Sequence, residues 1–201
     1  MYKIIGFPRS RAMRVMWLLE ELEQPYEIDP AKPHSEAITA VNPSGKVPAL
    51  VDGGAVLTES VAICTYLADK HGQFTFPAGT LERARQDAFT QFAVDVLEGA
   101  LWTAAKNSFV HPETLRVPEI KRLCKAEFSA GLEHLGRMLG QGPYVMGETF
   151  TLPDIILGHC GGWAVTAKFD LPKDGPVYDY FKRLRARPAY RAMMDKVMAA
   201  E

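Results

Sequence analysis

Two short stretches of the sequence carry side chains that could act on a ligand, Pro8-Arg9-Ser10-Arg11 and Thr58-Glu59-Ser60. Ser10 lies between a predicted strand and a predicted helix, where a hydroxyl can cap the helix, donate to a bound group, or do both. Glu59 and Ser60 open another predicted helix, whose free backbone N–H groups attract an anion. Capping alone explains the two hydroxyls of the second stretch but not the acid between them.

A proline interrupts a run that otherwise has the composition of a strand, Val47 to Asp52. Because proline cannot donate a ladder hydrogen bond, Pro48 belongs at a strand edge, at a bulge or at a special bend. The run from Ala55 to Thr58 follows after Gly53-Gly54, a pair that favours tight turns, so the two runs predict a hairpin.

The first part of the chain mixes strands with helices. Its patterns predict a strand over 2–7, a helix over 11–23, a second strand over 26–29, a loop with one short helix over 30–43, and a helix that ends near His71-Gly72. A strand–helix–strand unit followed by a hairpin and a helix is typical of a small α/β layered domain.

The second part predicts only helices. Apolar stripes run from Leu81 to about Phe109, from 120 to 139 and from 152 to about 168, and one or two further helices fall in 176–198, broken at Pro188. Thr151 and Asp154 have capping-box spacing, which we interpret as helix stabilisation only. The turn-rich 72–80 segment separates two predicted domains, an α/β domain over 1–73 and an all-helical bundle over 82–201.

Composition excludes several functions. The 201 residues are 47% hydrophobic and carry a formal net charge of -1, which argues against a nucleic-acid binder. A cluster of basic residues near the C-terminus is interpreted as a solvated helix face; its members are Arg183, Arg185, Arg187, Arg191 and Lys196. The three cysteines and five histidines show no metal or redox spacing, so we predict no metal and a reducing compartment. The apolar runs are too short for a signal peptide or a membrane span, so we expect a cytoplasmic protein without membrane partners.

Five stretches, in this order, resemble the soluble glutathione transferase family. They are FPRSRAMRVMWLLEEL, NPSGKVPAL, LTESVAICTYL, FTLPDI and RARPAYRAM. The first stretch is similar to the family's first strand, active-site loop and first helix. The second is similar to the signature before its third strand, and the third to its glutathione-binding turn. The fourth and fifth are similar to its capping box and its closing helix. The resemblance implies an N-terminal thioredoxin-like domain, a C-terminal helical bundle, glutathione as co-substrate and a homodimer.

The resemblance also implies a role for each residue of the glutathione site. In the family the proline matching Pro48 is cis, and the residue before it, here Val47, offers its N–H and C=O to the cysteinyl part of glutathione. Ser60 and its helix end would bind the γ-glutamyl carboxylate, while Glu59 would hold the amine. Lys46 is placed to take the glycyl carboxylate.

Ser10 matches the serine of the serine-type, bacterial-like transferases, since it stands two residues after a proline and four before Arg14. A free thiol has a pKa of about 8.5, and lowering it by roughly 2 units takes about 2.7 kcal/mol. One hydrogen bond to a charged group supplies about 1.5–3 kcal/mol, and a helix N-terminus adds about 0.3–1 kcal/mol. We therefore predict that Ser10 holds glutathione as a thiolate. The exact roles of Arg14 and His34 stay open.

The resemblance places a small hydrophobic electrophile between the domains, with Phe7, Trp102 and Phe109 as candidate walls. Lys106 lies at helical spacing between the last two, and Trp163 is a further candidate. Conjugation is the favoured reaction. Glutathione-dependent isomerisation, dehalogenation, ether cleavage or peroxide reduction remain alternatives, as does a non-catalytic binding module with this fold. A complete tripeptide site argues against the module.

Overall fold

The computed structural model describes residues 1–200, which pack into two compact units. The first consists of Met1–Pro77 together with the residues from Arg185 onward, and the second of Ala78–Leu184. The predicted division into 1–73 and 82–201 places the last helix with the second domain, whereas here that helix packs with the first unit. As a division into domains it stays a prediction.

The first unit contains a four-stranded mixed sheet in the order β2-β1-β3-β4. Strands β1 and β2 are parallel, and each of the other neighbouring pairs is antiparallel. The elements are β1 (Tyr2–Ile5), α1 (Met13–Glu21), β2 (Tyr26–Asp29), α2 (Glu36–Thr39), β3 (Ala49–Asp52), β4 (Ala55–Thr58) and α3 (Ser60–His71). This confirms the predicted α/β fold of thioredoxin-like type, with α3 ending at a left-handed Gly72.

Three elements are shorter than predicted, and all three lose residues at the same edge of the unit. Strand β1 ends at Ile5 instead of Phe7, α1 begins at Met13 instead of residue 11, and β3 begins at Ala49 instead of Val47. The backbone over Pro8–Ala12 contains two residues with non-helical dihedral angles, Arg9 and Ser10. The segments that were predicted as regular structure are therefore loops, and they hold the candidate site.

The last helix, α9 (Pro188–Ala199), packs on α1. Arg187 donates to both carboxylate oxygens of Glu21 at 2.6 and 2.7 Å, and Trp17 lies edge-on to Tyr190 with ring centroids 4.9 Å apart. Lys196 pairs with Glu20 at 2.5 Å. Two members of the basic cluster thus bind acids of α1, so the interpretation of that cluster as a purely solvated face is wrong for them.

The second unit is helical, as predicted. It comprises α4 (Leu81–Phe92), α5 (Gly99–Ala105), α6 (Ile120–Met138), α7 (Leu152–Thr166) and most of α8 (Gly175–Ala186). Two π-helical stretches, Ala93–Glu98 and Lys106–Val110, continue α4 into α5 and beyond it. Within residues 1–200, no helix combines the length and apolar character that a membrane crossing needs, and no three His, Cys, Asp or Glu side chains could jointly hold a metal ion.

The start of α7 is held by a buried carboxylate. Asp154 Oδ2 accepts from the Thr151 backbone N–H at 2.8 Å, which confirms this half of the predicted capping box. Oδ1 accepts from the Tyr180 hydroxyl at 2.8 Å and from the Val145 N–H at 3.1 Å. Burial raises the pKa of Asp154 from 3.8 to about 6, although its hydrogen bonds act in the opposite direction.

Candidate functional site

Ser10 lies in the loop between β1 and α1 and caps the helix. Its backbone is extended, and its Oγ accepts a hydrogen bond from the Ala12 N–H at 3.1 Å. The same hydroxyl donates to the Phe7 carbonyl oxygen at 2.6 Å. Because a hydroxyl has one hydrogen and can rotate, Ser10 can direct that hydrogen to another acceptor while it still caps α1. The contact with Ala12 holds the backbone just before α1, and it is compatible with the predicted catalytic role.

The loop before β3 is clamped by a buried asparagine. Asn42 Nδ2 donates to the Lys46 carbonyl oxygen at 2.8 Å, and Asn42 Oδ1 accepts from both the N–H and the hydroxyl of Ser44. The Val47–Pro48 peptide bond is cis, as the family resemblance predicts. Within residues 1–200, neither the backbone of Val47 nor the ammonium of Lys46 has a hydrogen-bond partner.

Gly6 allows this loop to approach the end of β1. A Cβ atom at Gly6 would lie 3.2 Å from the Cβ of Val47 and 3.3 Å from the Cα of Pro48, closer than most real contacts of this kind. The end of β1 and the Val47–Pro48 loop therefore contact each other at Gly6. Sequence reasoning missed this residue, because a glycine at the end of a strand predicts no particular contact.

Glu59 opens α3 with an uncommon backbone conformation. Its φ is 65° and its ψ is 111°, a region that costs a non-glycine residue about 1–3 kcal/mol and that occurs most often at functional sites. Its carbonyl oxygen accepts from the Ile63 N–H, as expected at a helix start. Its side chain is exposed, and within residues 1–200 its carboxylate has no ion pair or hydrogen bond.

Arg14 is buried and forms a hydrogen bond with Ser60. Its side chain is only 1% exposed, and its guanidinium donates to the Ser60 Oγ at 3.2 Å. A guanidinium cannot accept, so the Ser60 oxygen is the acceptor and its own hydrogen points elsewhere. No acceptor for that hydrogen exists within residues 1–200. In the sequence, Arg14 is the one charge in the apolar run from Ala12 to Leu19, a signal that could have indicated a buried contact.

His34 lies beside the same loop. Its backbone N–H donates to the Gly45 carbonyl oxygen at 2.8 Å, and its own φ is positive at 62°. A Cβ at Gly45 would fall 2.2 Å from His34 Nδ1, so the imidazole covers this glycine. The contact explains why residue 45 is a glycine and places His34 one residue away from Lys46.

The candidate walls for a second substrate differ in exposure. Phe7 is 36% exposed and Phe109 is 69% exposed. Trp102 is half-buried, and its ring lies 6.4 Å from that of Trp163, so these two tryptophans are brought together. Tyr2, the tyrosine nearest the first loop, is buried and hydrogen-bonded to His71, which leaves Ser10 as the hydroxyl of that loop.

A thioredoxin-like sheet with a cis-proline loop, followed by a helical unit, is the architecture typical of glutathione transferases. The family models for the N-terminal and C-terminal domains of glutathione S-transferases match residues 4–75 and 78–192. The chain belongs to the glutathione S-transferase family, a family of enzymes that use glutathione as co-substrate, and the predicted family, fold class and enzyme class are confirmed.

Relatives and solved structures agree with this assignment. The chain is 29% identical to glutathione S-transferase GstA of Escherichia coli O157:H7 over 152 residues, 74% of this chain and 72% of that protein. A glutathione transferase from Methylococcus capsulatus is 28% identical, with a TM-score of 0.86 over 99% of this chain and all of the other. The theta class enzyme of Xanthomonas axonopodis pv. citri, solved with glutathione bound, is 28% identical with a TM-score of 0.76, and the match covers 95% of each chain.

Proposed function

We propose that the protein activates the thiol of glutathione as a thiolate, with Ser10 as the hydrogen-bond donor, and adds the sulfur to a hydrophobic electrophile. The supporting observation is that the groups assigned to glutathione lack partners within residues 1–200. These groups are the Ser60 hydroxyl hydrogen, the Glu59 carboxylate, the Lys46 ammonium and the Val47 backbone. The registers Ile5↔Ala49 and Ala49↔Thr58 bring the segments that carry these groups to one edge of the sheet, which favours a shared ligand over separate structural roles.

The charges of these groups complement glutathione, which carries two carboxylates and one ammonium at neutral pH. Glu59 faces the ammonium, and Lys46 takes the glycyl carboxylate. The γ-glutamyl carboxylate binds at the N-terminus of α3, where the Ser60 hydroxyl donates to it. Arg14, buried against Ser60, adds a positive charge beside this helix end and prevents the Ser60 hydroxyl from turning away. The cysteinyl part pairs with the Val47 backbone.

Ser10 must exchange one acceptor for another when the thiolate binds. Giving up the Phe7 carbonyl costs about 0.5–1.5 kcal/mol, whereas a bond to a charged acceptor contributes about 1.5–3 kcal/mol. The N–H of Ala12, the residue just before α1, polarises the hydroxyl and carries the field of the α1 N-terminus to the sulfur, a contribution of about 0.3–1 kcal/mol. The sum corresponds to a thiol pKa lowered by about one to two units.

The second substrate is a small hydrophobic electrophile in this proposal, and Phe7, Trp102 and Phe109 contact it. Their rings offer apolar area and few hydrogen bonds, which suits aromatic or alkyl electrophiles. Conjugation, isomerisation and reduction all begin from the same thiolate. Turnover of a panel that contains an aromatic halide, an isomerisable double bond and an organic peroxide distinguishes these reactions.

The thiolate role is tested with Ser10→Ala, and Ser10→Thr is the control that keeps a hydroxyl. We expect Ser10→Ala to raise the pKa of bound glutathione by at least one unit, measured from the pH dependence of thiolate absorbance and of kcat/KM. Ser10→Thr should stay near the parent value. An unchanged pH–rate profile in Ser10→Ala would reject the role. Retention on immobilised glutathione without turnover of any electrophile would favour a non-catalytic module.

We also infer that the protein is a homodimer in the cytoplasm, since homodimers are typical of the family. Sedimentation equilibrium of the purified chain tests the dimer directly. A single species at the 22.3 kDa monomer mass would contradict it.

A further inference from the structure

Exposed apolar side chains are concentrated in one short stretch of the helical unit. Twelve large apolar side chains are exposed within residues 1–200, and five of them fall between 109 and 123. Apart from Phe109, which is assigned above to the second substrate, these are Val110, Leu115, Val117 and Leu123, with exposures of 46%, 66%, 50% and 53%. Single exposed apolar residues are ordinary, but a cluster of them usually marks a contact surface.

Hydrogen bonds gather this stretch into one corner of the unit. The Val117 N–H donates to Asn107 Oδ1 at 3.0 Å, so the loop folds back on the π-helical stretch that ends at Val110. Arg116 Nε donates to the His111 carbonyl oxygen at 2.8 Å and ties the two ends of the loop together. Helix α6 begins only three residues after Val117. The four apolar side chains therefore lie in one corner of the unit, and we call them, with the basic residues among them, the loop patch.

The loop patch is basic in a chain that is slightly acidic. Between residues 106 and 123, four basic side chains stand against two acids, whereas the whole chain has a formal net charge of -1. Lys121 and Arg122 lie beside Leu123 at the start of α6, and within residues 1–200 neither cation has an ion pair. Arg116 faces the carboxylate of Glu113 at 3.9 Å, and that acid is largely exposed. Apolar and basic side chains thus share this surface.

The two properties of the loop patch together select its partner. Exposed leucine and valine favour hydrocarbon, and lysine and arginine favour negative charge. A second copy of the chain is disfavoured, because it would bring like charges together. An anionic lipid surface offers both hydrocarbon and negative headgroups. Long basic side chains can bury their stems there while their charges stay at the headgroups.

We propose that the loop patch binds the surface of an anionic lipid bilayer. The apolar side chains enter the edge of the hydrocarbon, and the basic side chains contact the headgroup phosphates. The expectation of no membrane partner rested on the shortness of the apolar runs, and a contact at the surface needs no run that spans the bilayer. None of these residues is assigned to glutathione, so binding here does not depend on the Ser10 chemistry.

Sedimentation with lipid vesicles tests the charge of the patch. The vesicles contain phosphatidylcholine alone or equal parts of phosphatidylcholine and phosphatidylglycerol, and we expect binding only to the second kind, weakening as salt is raised. The double variant Lys121→Glu/Arg122→Glu should bind these vesicles at least about tenfold more weakly. The matched control, Lys182→Glu/Arg191→Glu, makes the same change in net charge at exposed positions outside the loop patch, and should stay within about threefold of the parent. Equal affinities of the two double variants would overturn the proposal.

A tryptophan reports whether the loop enters the bilayer. In Leu115→Trp, the new indole should shift its emission to shorter wavelength when anionic vesicles are added, because it leaves water for the boundary between headgroups and hydrocarbon. Leu81→Trp is the matched control, since Leu81 is 72% exposed but lies outside the loop patch, and its emission should not change. No shift in Leu115→Trp would refute the proposal. A sedimentation-equilibrium mass that falls in Leu115→Asn would show that another copy covers the patch, and would refute it as well.

Discussion

Two helix starts in this protein combine a hydroxyl with an acid, and their environments are opposite. At α7, Asp154 is fully buried and accepts from Thr151, Val145 and Tyr180. At α3, the Glu59 carboxylate is exposed and has no partner within residues 1–200. The chain completes the first start by itself, whereas in our proposal bound glutathione completes the second.

The comparison shows how to separate a structural cap from a binding site. At α7 the acid satisfies donors of the surrounding loops, so its loss should affect folding. At α3 the acid has a positive φ, and its carboxylate satisfies no group within residues 1–200, so its loss should affect binding and leave folding intact. Four measurements test this difference.

Asp154→Ala should have the largest effect. It leaves the N–H groups of Thr151 and Val145 and the hydroxyl of Tyr180 without an acceptor, all of them buried, and we expect a loss of about 3 kcal/mol in the free energy of unfolding. Urea unfolding measures it. Asp87→Ala, which removes an exposed i,i+4 ion pair, is the control and should cost less than about 0.5 kcal/mol. A similar cost in both variants would contradict the structural role.

The pH dependence of stability should reveal the same carboxyl. The pKa of Asp154 is about 6 in the folded protein and 3.8 as its ordinary value, so the folded state keeps this proton to a higher pH than the unfolded state. Its stabilising contribution is fully present below about pH 4 and is lost as pH rises through about 6, a change on the order of 2–3 kcal/mol. Urea unfolding across this range should therefore show a steeper fall in the parent than in Asp154→Asn. Parallel curves would show that Asp154 is ionised throughout.

Glu59→Ala and Glu59→Gly should reduce glutathione affinity equally, by about tenfold, because both remove a charge-assisted contact to the ligand ammonium. They should differ in stability. Glycine tolerates a positive φ, so Glu59→Gly should exceed Glu59→Ala by about 1 kcal/mol in the free energy of unfolding. Calorimetric titration and urea unfolding measure the two effects. Unchanged affinity in both variants would remove Glu59 from the site.

Gly6→Ala should have the smallest effect. Its new methyl group presses on Val47 and Pro48, so the loop to which we assign the cysteinyl backbone moves by a few tenths of an ångström, and we expect KM for glutathione to rise several-fold. Gly99→Ala is the control, because a Cβ there makes only an ordinary contact with the Val94 carbonyl oxygen at 3.8 Å. Equal KM values in the two variants would show that the close approach at residue 6 has no role in binding.

The sequence predicted β2 and β4 to the residue, because alternating side chains and flanking turns define short strands locally. It overestimated the lengths of β1, α1 and β3. The ends of these elements are irregular because they contact segments that are distant in the sequence. The π-helical turns at Ala93–Glu98 and Lys106–Val110 were also missed, since an apolar stripe predicts a helix but not the carbonyl to which each N–H donates.

The site was predictable where residue types have a local meaning and not where they act through packing. Ser10, Glu59 and Ser60 precede predicted helices, so their positions in the chain indicated helix caps and anion sites. Arg14 contacts Ser60 across 46 positions, and no local pattern encodes such a distance. Gly6 was missed for the same reason.

The packing of α9 on α1 has a consequence for folding during synthesis. Ribosomes build chains from the amino end, so the helix around Trp17 is made well before its covering residue Tyr190. Until then an apolar flank of the nascent first unit faces water or a chaperone. A fragment that stops before Arg185 should therefore aggregate during translation, however complete its sheet.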